Sequence, residues 1–288
     1  MVDLPALPDR GLLADLCGEI AERERVQPFA VEKDFYLTRL IWALAQKVGD
    51  RLLLKGGTLL SKVDLGYRRM SEDVDLVIPG APTRHGGINA ATTNPVRDAL
   101  RKLARTVGLR LENHNGESSE RGARVIWTLK YDSFFGPQSI DVEVAIRPVL
   151  RPPRRANLGQ LLNDPLAGDY SEAYCWALDA DEARAEKVRA AYTREAIRDF
   201  YDLEQLRRAG ADFTSAQFKQ LVDQKLAELG APPFAEQLPN FGLTAERRKK
   251  LIAEGRRGLE AVLRAGEEQF SLDAMLESFA SMSETHET

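Results

Sequence analysis

The stretch from Arg51 to Ile78 limits the possible folds of this chain more than any other. A short apolar run, Arg51 to Leu54, ends at Gly56-Gly57, and a helical pattern follows from Thr58 to Leu65. Further on, Val74 to Ile78 is rich in β-formers, opens with Asp73-Val74-Asp75 and stops at Pro79-Gly80, a turn signal. The order is strand, tight turn, helix, then a second strand with paired acids at its start.

The rest of the chain arranges itself around that unit. Two helical patterns precede it. In the second, Leu37, Leu40, Ile41, Leu44, Ala45 and Val48 form one apolar stripe, and Gly49 is a plausible stop. The Gly-, Pro-, Thr- and Asn-rich stretch from Gly80 to Asn94 reads as a mobile loop, with a helix from about Pro95 to Val107. Strands are expected over Leu109–Asn113, Arg124–Tyr131 and Ser139–Ile146. In the last, Ile140, Val142, Val144 and Ile146 alternate with Asp141, Glu143 and Ala145. Arg147 to Arg155, rich in proline and arginine, marks a domain boundary, and beyond it the patterns are helical from about Asp181 onward. The expected class is α+β: a mixed-sheet core flanked by helices in residues 1–150, then a helical domain in residues 151–288.

Composition narrows the setting. The 288 residues, 43% hydrophobic and 29% charged, suit a globular protein of one elongated or two compact domains. A formal charge of −4 gives no whole-chain signal for nucleic acid, so any polyanion site must be a local basic patch. Cys17 and Cys175, the only cysteines, are too far apart for a metal motif and read as reduced thiols. His85, His114 and His286 do not suggest a zinc site. Met1 to Arg10 lacks the basic and then apolar run of a signal peptide, and no stretch approaches the roughly 20 apolar residues of a membrane span. The expected location is the cytoplasm.

The acids of Asp73-Val74-Asp75 project to the same face of a strand, because residues i and i+2 do. Such close like charges are unfavourable without a cation, and Mg²⁺ suits carboxylate and phosphate oxygens. A third carboxylate on a neighbouring strand would complete a two-metal clamp, and Glu143 is the first choice for it, with Asp141 in reserve. Gly56 and Gly57 would let the backbone approach a phosphate, with the Thr58 hydroxyl as a further donor. On a continuous helix Lys187, Ala190, Ala191, Arg194, Ile197 and Arg198 would share a stripe open to a polyanion, or simply a solvated face with an Arg198–Asp202 pair. Glu32-Lys33-Asp34 reads by itself as a helix-start charge cluster.

The segment KGGTLLSKVDLGYRRMSEDVDL, Lys55 to Leu76, resembles the AbiEii/AbiGii-type toxins. These form a branch of the DNA polymerase β-like nucleotidyltransferase superfamily that includes the mycobacterial MenT toxins. Glu32-Lys33-Asp34 is similar to the acid-lysine-acid triplet that starts the long second helix of that family. Lys187 to Leu203 resembles its lysine helix followed by Arg198-Asp199 and Tyr201-Asp202-Leu203. The likeness runs from about residue 28 to 208.

The resemblance implies that Asp73 and Asp75 bind metal, with Glu143 as third ligand, and that Gly56, Gly57 and Thr58 hold the triphosphate. It implies that Ser71 contacts a phosphate (in some relatives the matching serine is phosphorylated) and that Arg69 lies near the nucleotide. Lys187 would bind the β- and γ-phosphates with Arg198 nearby, and Asp199 would orient Lys187 or another phosphate ligand. The implied activity is Mg²⁺-dependent transfer of a nucleotide from a nucleoside triphosphate to the 3′ end of tRNA or another RNA. The implied biology is a toxin with a cognate antitoxin. Arg147, Arg151, Arg154 and Arg155, and Arg247 to Lys250 with Arg256 and Arg257, are candidate RNA contacts. A protein or small-molecule acceptor, phosphoryl transfer to a serine, and a non-catalytic binding protein of the same fold are the competing readings.

Overall fold

The computed structural model describes residues 2–194, 196–228, 230–234, 241–260, 262–266 and 270–284, with the backbone alone at 254, 256, 257, 260, 283 and 284. It divides into two compact units, Met1–Leu178 and Asp179–Thr288.

The first unit opens with helices α1, Arg10–Glu24, and α2, Pro28–Val48. Asp9 caps α1 by accepting from the Gly11 and Leu12 N–H groups, and Gly49 ends α2. From Asp34 to Ala45 every residue of α2 is buried, so this is a core helix and not a surface helix with one apolar stripe. Glu32 and Asp34, in the helix-start charge cluster, are buried with it.

The strands are β1, Leu53–Leu54; β2, Val74–Pro79; β3, Arg110–Leu111; β4, Glu117–Ser119; β5, Arg124–Ser133; β6, Gly136–Arg147; β7, Arg154–Asn157; and β8, Tyr174–Ala177. They form one mixed sheet in the order β3-β5-β6-β2-β1-β8-β7, with β4 beside β5. β2 runs parallel to β6, and β1 parallel to β8, while β1–β2, β5–β6 and β7–β8 are antiparallel. The alternation expected in β6 is present: Ile140, Val142 and Val144 are wholly buried, and Asp141 and Glu143 stand on the opposite face.

Three further expectations about the first unit are corrected. Gly80 to Asn94 is not all loop, because helix α4 spans Gly86–Leu103 with Pro95 inside it. Tertiary anchoring overrides the local breakers. The Asn89 side chain bonds to Thr83 and to the Arg121 carbonyl, and Val96, Ala99, Leu100 and Leu103 continue a buried face. The first unit extends to Leu178 and does not end near residue 150, since β7 starts at the end of the Pro-Arg connector and β8 lies beyond it. These strands are too short to show a period, and Pro152-Pro153 stand just before an edge strand, where proline is tolerated. The strand expected over Leu109–Asn113 is shorter, with Arg110 and Leu111 in register on β5 and the Glu112 N–H donating to the Thr128 carbonyl. Beyond them the Asn113 side chain takes over, accepting from Thr128 N–H and donating to the Ile126 carbonyl.

The second unit is helical among its described residues: α5, Ala180–Thr193; α6, Ile197–Arg208; α7, Ala216–Ala227; α8, Ala245–Glu260; and α9, Leu272–Glu284. Rings of Phe200, Phe213, Phe218, Phe234, Phe241 and Phe279 meet edge-on in its core. The continuous helix expected through Lys187 to Arg198 is broken. Arg194 is extended, with φ −108° and ψ 147°, so the supposed stripe belongs to two helices.

Candidate active site

β1 ends at Leu54, and after Lys55 helix α3, Gly56–Leu59, begins and runs into a single π-helical turn, Leu60–Asp64. Gly56 and Gly57 therefore form the first turn of a helix and not a loop before it. The space each leaves is filled by the protein itself. A Cβ on Gly56 would stand 2.3 Å from Asp75 Oδ2, and one on Gly57 would stand 2.6 Å from Arg69 Nη2. Glycine is required at both positions for site residues to close in on the helix start.

Asp73 and Asp75 flank Val74 at the start of β2, and Asp75 is the register partner of Glu143 on parallel β6. Neighbouring residues in register point to the same face, so the expected carboxylates are brought together. Asp141 shares that face. Its N–H donates to Asp73 Oδ1 at 3.4 Å, while its carboxylate accepts from Thr128 Oγ1 at 2.7 Å. Asp73 has its carboxyl raised above the usual 3.8, first by partial loss of hydration. The Asp141 N–H bond opposes this, and the charges of Asp141, Glu72 and Asp75 add to it.

Two cations missed by sequence reasoning face these acids. Lys55 Nζ lies 3.9 Å from both Asp75 Oδ1 and Glu143 Oε1, and Arg124 Nη2 lies 2.5 Å from Glu143 Oε2. Lys55 stands inside the quoted motif, but only the register of β2 on β6 shows what it meets. Among the described residues no group of three His, Cys, Asp or Glu side chains is gathered so as to hold a metal ion. The donor set nonetheless fits Mg²⁺ in chemistry, being all carboxylate oxygen on adjacent strands.

Thr58 is wholly buried and does not present its hydroxyl outward. It donates that proton to the Asp73 carbonyl, so the 2.6 Å bond with Ser71 has the Ser71 hydroxyl as donor. Ser71, Thr58 and the Asp73 backbone thus form one chain of bonds that sets where β2 starts. Arg69 is buried and donates to the Met70 carbonyl. The loop carrying Arg69, Ser71 and Asp73 is anchored from below. Lys62 Nζ bonds Asp34 Oδ1 at 2.5 Å, Thr38 Oγ1 at 2.7 Å and Tyr67 Oη at 3.1 Å, while Tyr67 and the Leu161 N–H donate to Asp34 Oδ2. That is what the Asp34 of the acid-lysine-acid triplet does in this fold.

In the second unit Lys187 is buried between two carboxylates, 2.9 Å from Asp199 Oδ1 and 2.9 Å from Asp202 Oδ2. Asp199 is placed to orient Lys187. Asp202, weighed in the sequence as a surface partner of Arg198, is an unexpected second partner. Arg198 is half-buried one residue before Asp199.

The basic clusters are largely engaged within the chain. Arg147 pairs with Glu120, Arg154 with Asp64, and Arg155 lies over the Tyr174 ring. Arg247 donates to the Ala191 and Arg194 carbonyls at the end of α5, and Arg248 pairs with Asp273. The Arg256 and Arg257 side chains, and His286, lie outside the described residues.

Among solved structures, MenT4, a nucleotidyltransferase toxin from Mycobacterium tuberculosis H37Rv, matches with a TM-score of 0.63 and 21% identity, over 96% of this chain and 89% of that one. JHP933 from Helicobacter pylori matches with a TM-score of 0.50 and 14% identity, over 90% of this chain and 92% of that one. At these identities the likeness speaks for the fold, the expected mixed sheet with flanking helices. No curated protein sequence matches significantly. The family model for the AbiEii nucleotidyl transferase toxins of Type IV toxin–antitoxin systems matches residues 39–280, and the chain belongs to that family.

Proposed function

We propose that this toxin is a Mg²⁺-dependent enzyme that moves a nucleoside monophosphate from a nucleoside triphosphate to RNA, at the 3′ end of tRNA, and so blocks translation. The observation that carries the reading is the register of Asp75 with Glu143, beside Asp73 and against the start of α3. Asp73, Asp75 and Glu143 would hold the metal. Bound Mg²⁺ would supply charge neutralisation at the triphosphate and activation of the acceptor hydroxyl. The acceptor oxygen forms a bond to the α-phosphorus as the bond to pyrophosphate breaks.

The chain's own contribution is positioning. Thr58 and Ser71 hold the Asp73 backbone, and Gly56 and Gly57 admit Asp75 and Arg69 to the helix start. Lys187 keeps the role in triphosphate binding that the resemblance assigns it, with Asp199 and Asp202 fixing its ammonium. The RNA assignment rests on the family resemblance more than on the basic clusters, where Arg147, Arg154, Arg155, Arg247 and Arg248 are engaged within the chain. Family membership also implies an antitoxin. No helix among the described residues is long and apolar enough to cross a membrane, and tRNA as substrate would place the protein in the cytoplasm.

The test is incubation with Mg²⁺, total tRNA and each nucleoside triphosphate, labelled separately at the α- or γ-phosphate. The expected result is α-label on RNA with one nucleotide, abolished by Asp73→Asn. γ-Label on protein would move the reading to phosphoryl transfer, and absence of label on RNA would withdraw the tRNA assignment.

A further inference from the structure

Lys55 stands where a cation shared by Asp75 and Glu143 would stand. Its Nζ is 3.9 Å from an oxygen of each, and its side chain is only 14% exposed. Arg124 takes the remaining Glu143 oxygen at 2.5 Å, so Glu143 is held between two cations. The position of Lys55 is imposed by the backbone. Its N–H donates to the Asp75 carbonyl at 2.9 Å and α3 starts at the next residue, which fixes its Cα beside the acids and leaves the long side chain free to swing. An ammonium and a divalent ion cannot occupy the same place between two carboxylates, because they repel strongly at that range.

We propose that Lys55 is a built-in counter-cation of the carboxylate site that competes with the divalent metal and must leave Asp75 and Glu143 for the metal to bind. This rests on the assignment of Asp73, Asp75 and Glu143 as metal ligands and adds a residue that regulates their loading. Lys55 is a positioning residue, holding the acids in register with their charge balanced. Displacement by the metal frees it for an incoming anion. Arg124 acts on the same acid from β5 and keeps Glu143 oriented during the exchange.

The experiment measures Mn²⁺ binding to the full chain by electron paramagnetic resonance, without nucleotide. Wild type is expected to bind Mn²⁺, with binding lost in Asp75→Asn. Lys55→Met is expected to bind about tenfold tighter, because a positive charge about 4 Å from the site has been removed. Lys55→Arg, which keeps the charge, should stay near wild type. Lys55→Met should also melt lower than wild type in chelator and regain that difference with Mn²⁺. Equal or weaker Mn²⁺ binding by a folded Lys55→Met overturns the proposal while leaving the metal assignment intact. Failure of both wild type and Lys55→Met to bind Mn²⁺ overturns both. A second measurement uses wild type alone: brief acetylation followed by peptide mass spectrometry, with and without Mg²⁺. Lys55 labelling should rise with Mg²⁺, and unchanged labelling counts against displacement.

Discussion

Gly56 and Asp75 contend for one space. A methyl group on Gly56 would fall 2.3 Å from the Asp75 carboxylate oxygen, and the residue's φ of +69° lies in the left-handed region. Gly56→Ala is therefore expected to push Asp75 out of register with Glu143. Misplacing a reacting group by this much lowers rates by about 10²-fold, and the backbone strain adds about 1–2 kcal/mol of destabilisation. Initial rates with α-labelled nucleotide and a denaturant midpoint measure the two effects separately. Turnover near wild type would show that the Asp75 position does not matter.

Glu143 and Asp141 share a face of β6 but not an environment. Glu143 is the register partner of Asp75, whereas Asp141 is bonded to the Thr128 hydroxyl. Glu143→Gln is expected to lower transfer by about 10²-fold or more. Asp141→Asn keeps an oxygen for Thr128 and should lower transfer far less. Parallel titration of both variants with Mn²⁺ decides which acid is the third ligand, and the reverse ranking would transfer that role to Asp141.

The Asp34–Lys62 pair lies under the site, its side chains 3% and 1% exposed. Burial pulls the Lys62 ammonium below its ordinary value while Asp34 pulls it back, so losing either partner leaves the other stranded. Lys62→Met is expected to destabilise the protein by about 3–5 kcal/mol, read by urea unfolding. Asp34→Asn combined with Lys62→Met should recover part of that loss, because no lone charge is then buried. If the single and double variants unfold alike, the charge pairing is not what anchors the loop.

Acid should unfold the second unit partly through Glu186. Burial acts to raise its carboxyl, but Arg189 and Lys225 outweigh that and hold it below the usual 4.5. Lys225 also meets the buried Glu182 at 2.6 Å. A depressed folded value stabilises the protein above pH 4.5, and this contribution is lost as pH falls through the lower folded value. Glu186→Gln is expected to be less stable at pH 7 and to show a flatter decline below pH 4.5. Thermal melts from pH 7 to pH 3 check this, and an unchanged acid limb would assign the decline to other carboxylates.

How much was legible in the sequence follows from the range of the forces involved. Local periodicity and turn chemistry determined α2, β2, the alternation in β6 and the strand-to-helix step at Gly56-Gly57, because each depends on residues within a few positions. The motif from Lys55 to Leu76, with the lysine helix after it, was enough to identify the family that the family model also finds. Tertiary structure alone decided the rest. β7 and β8 are too short to have a readable period and exist because β1 offers an edge. α4 holds through glycine and proline because Asn89 and an apolar face are anchored by distant chain. The same holds within the site. The motif named Thr58, Gly56 and Gly57 as phosphate contacts, while the fold turns the Thr58 hydroxyl inward and gives the glycines' space to Asp75 and Arg69. Which cation faces Asp75 and Glu143 depends on the pairing of strands far apart in the chain, and that pairing is set by burial of the sheet's apolar face, not by any local pattern.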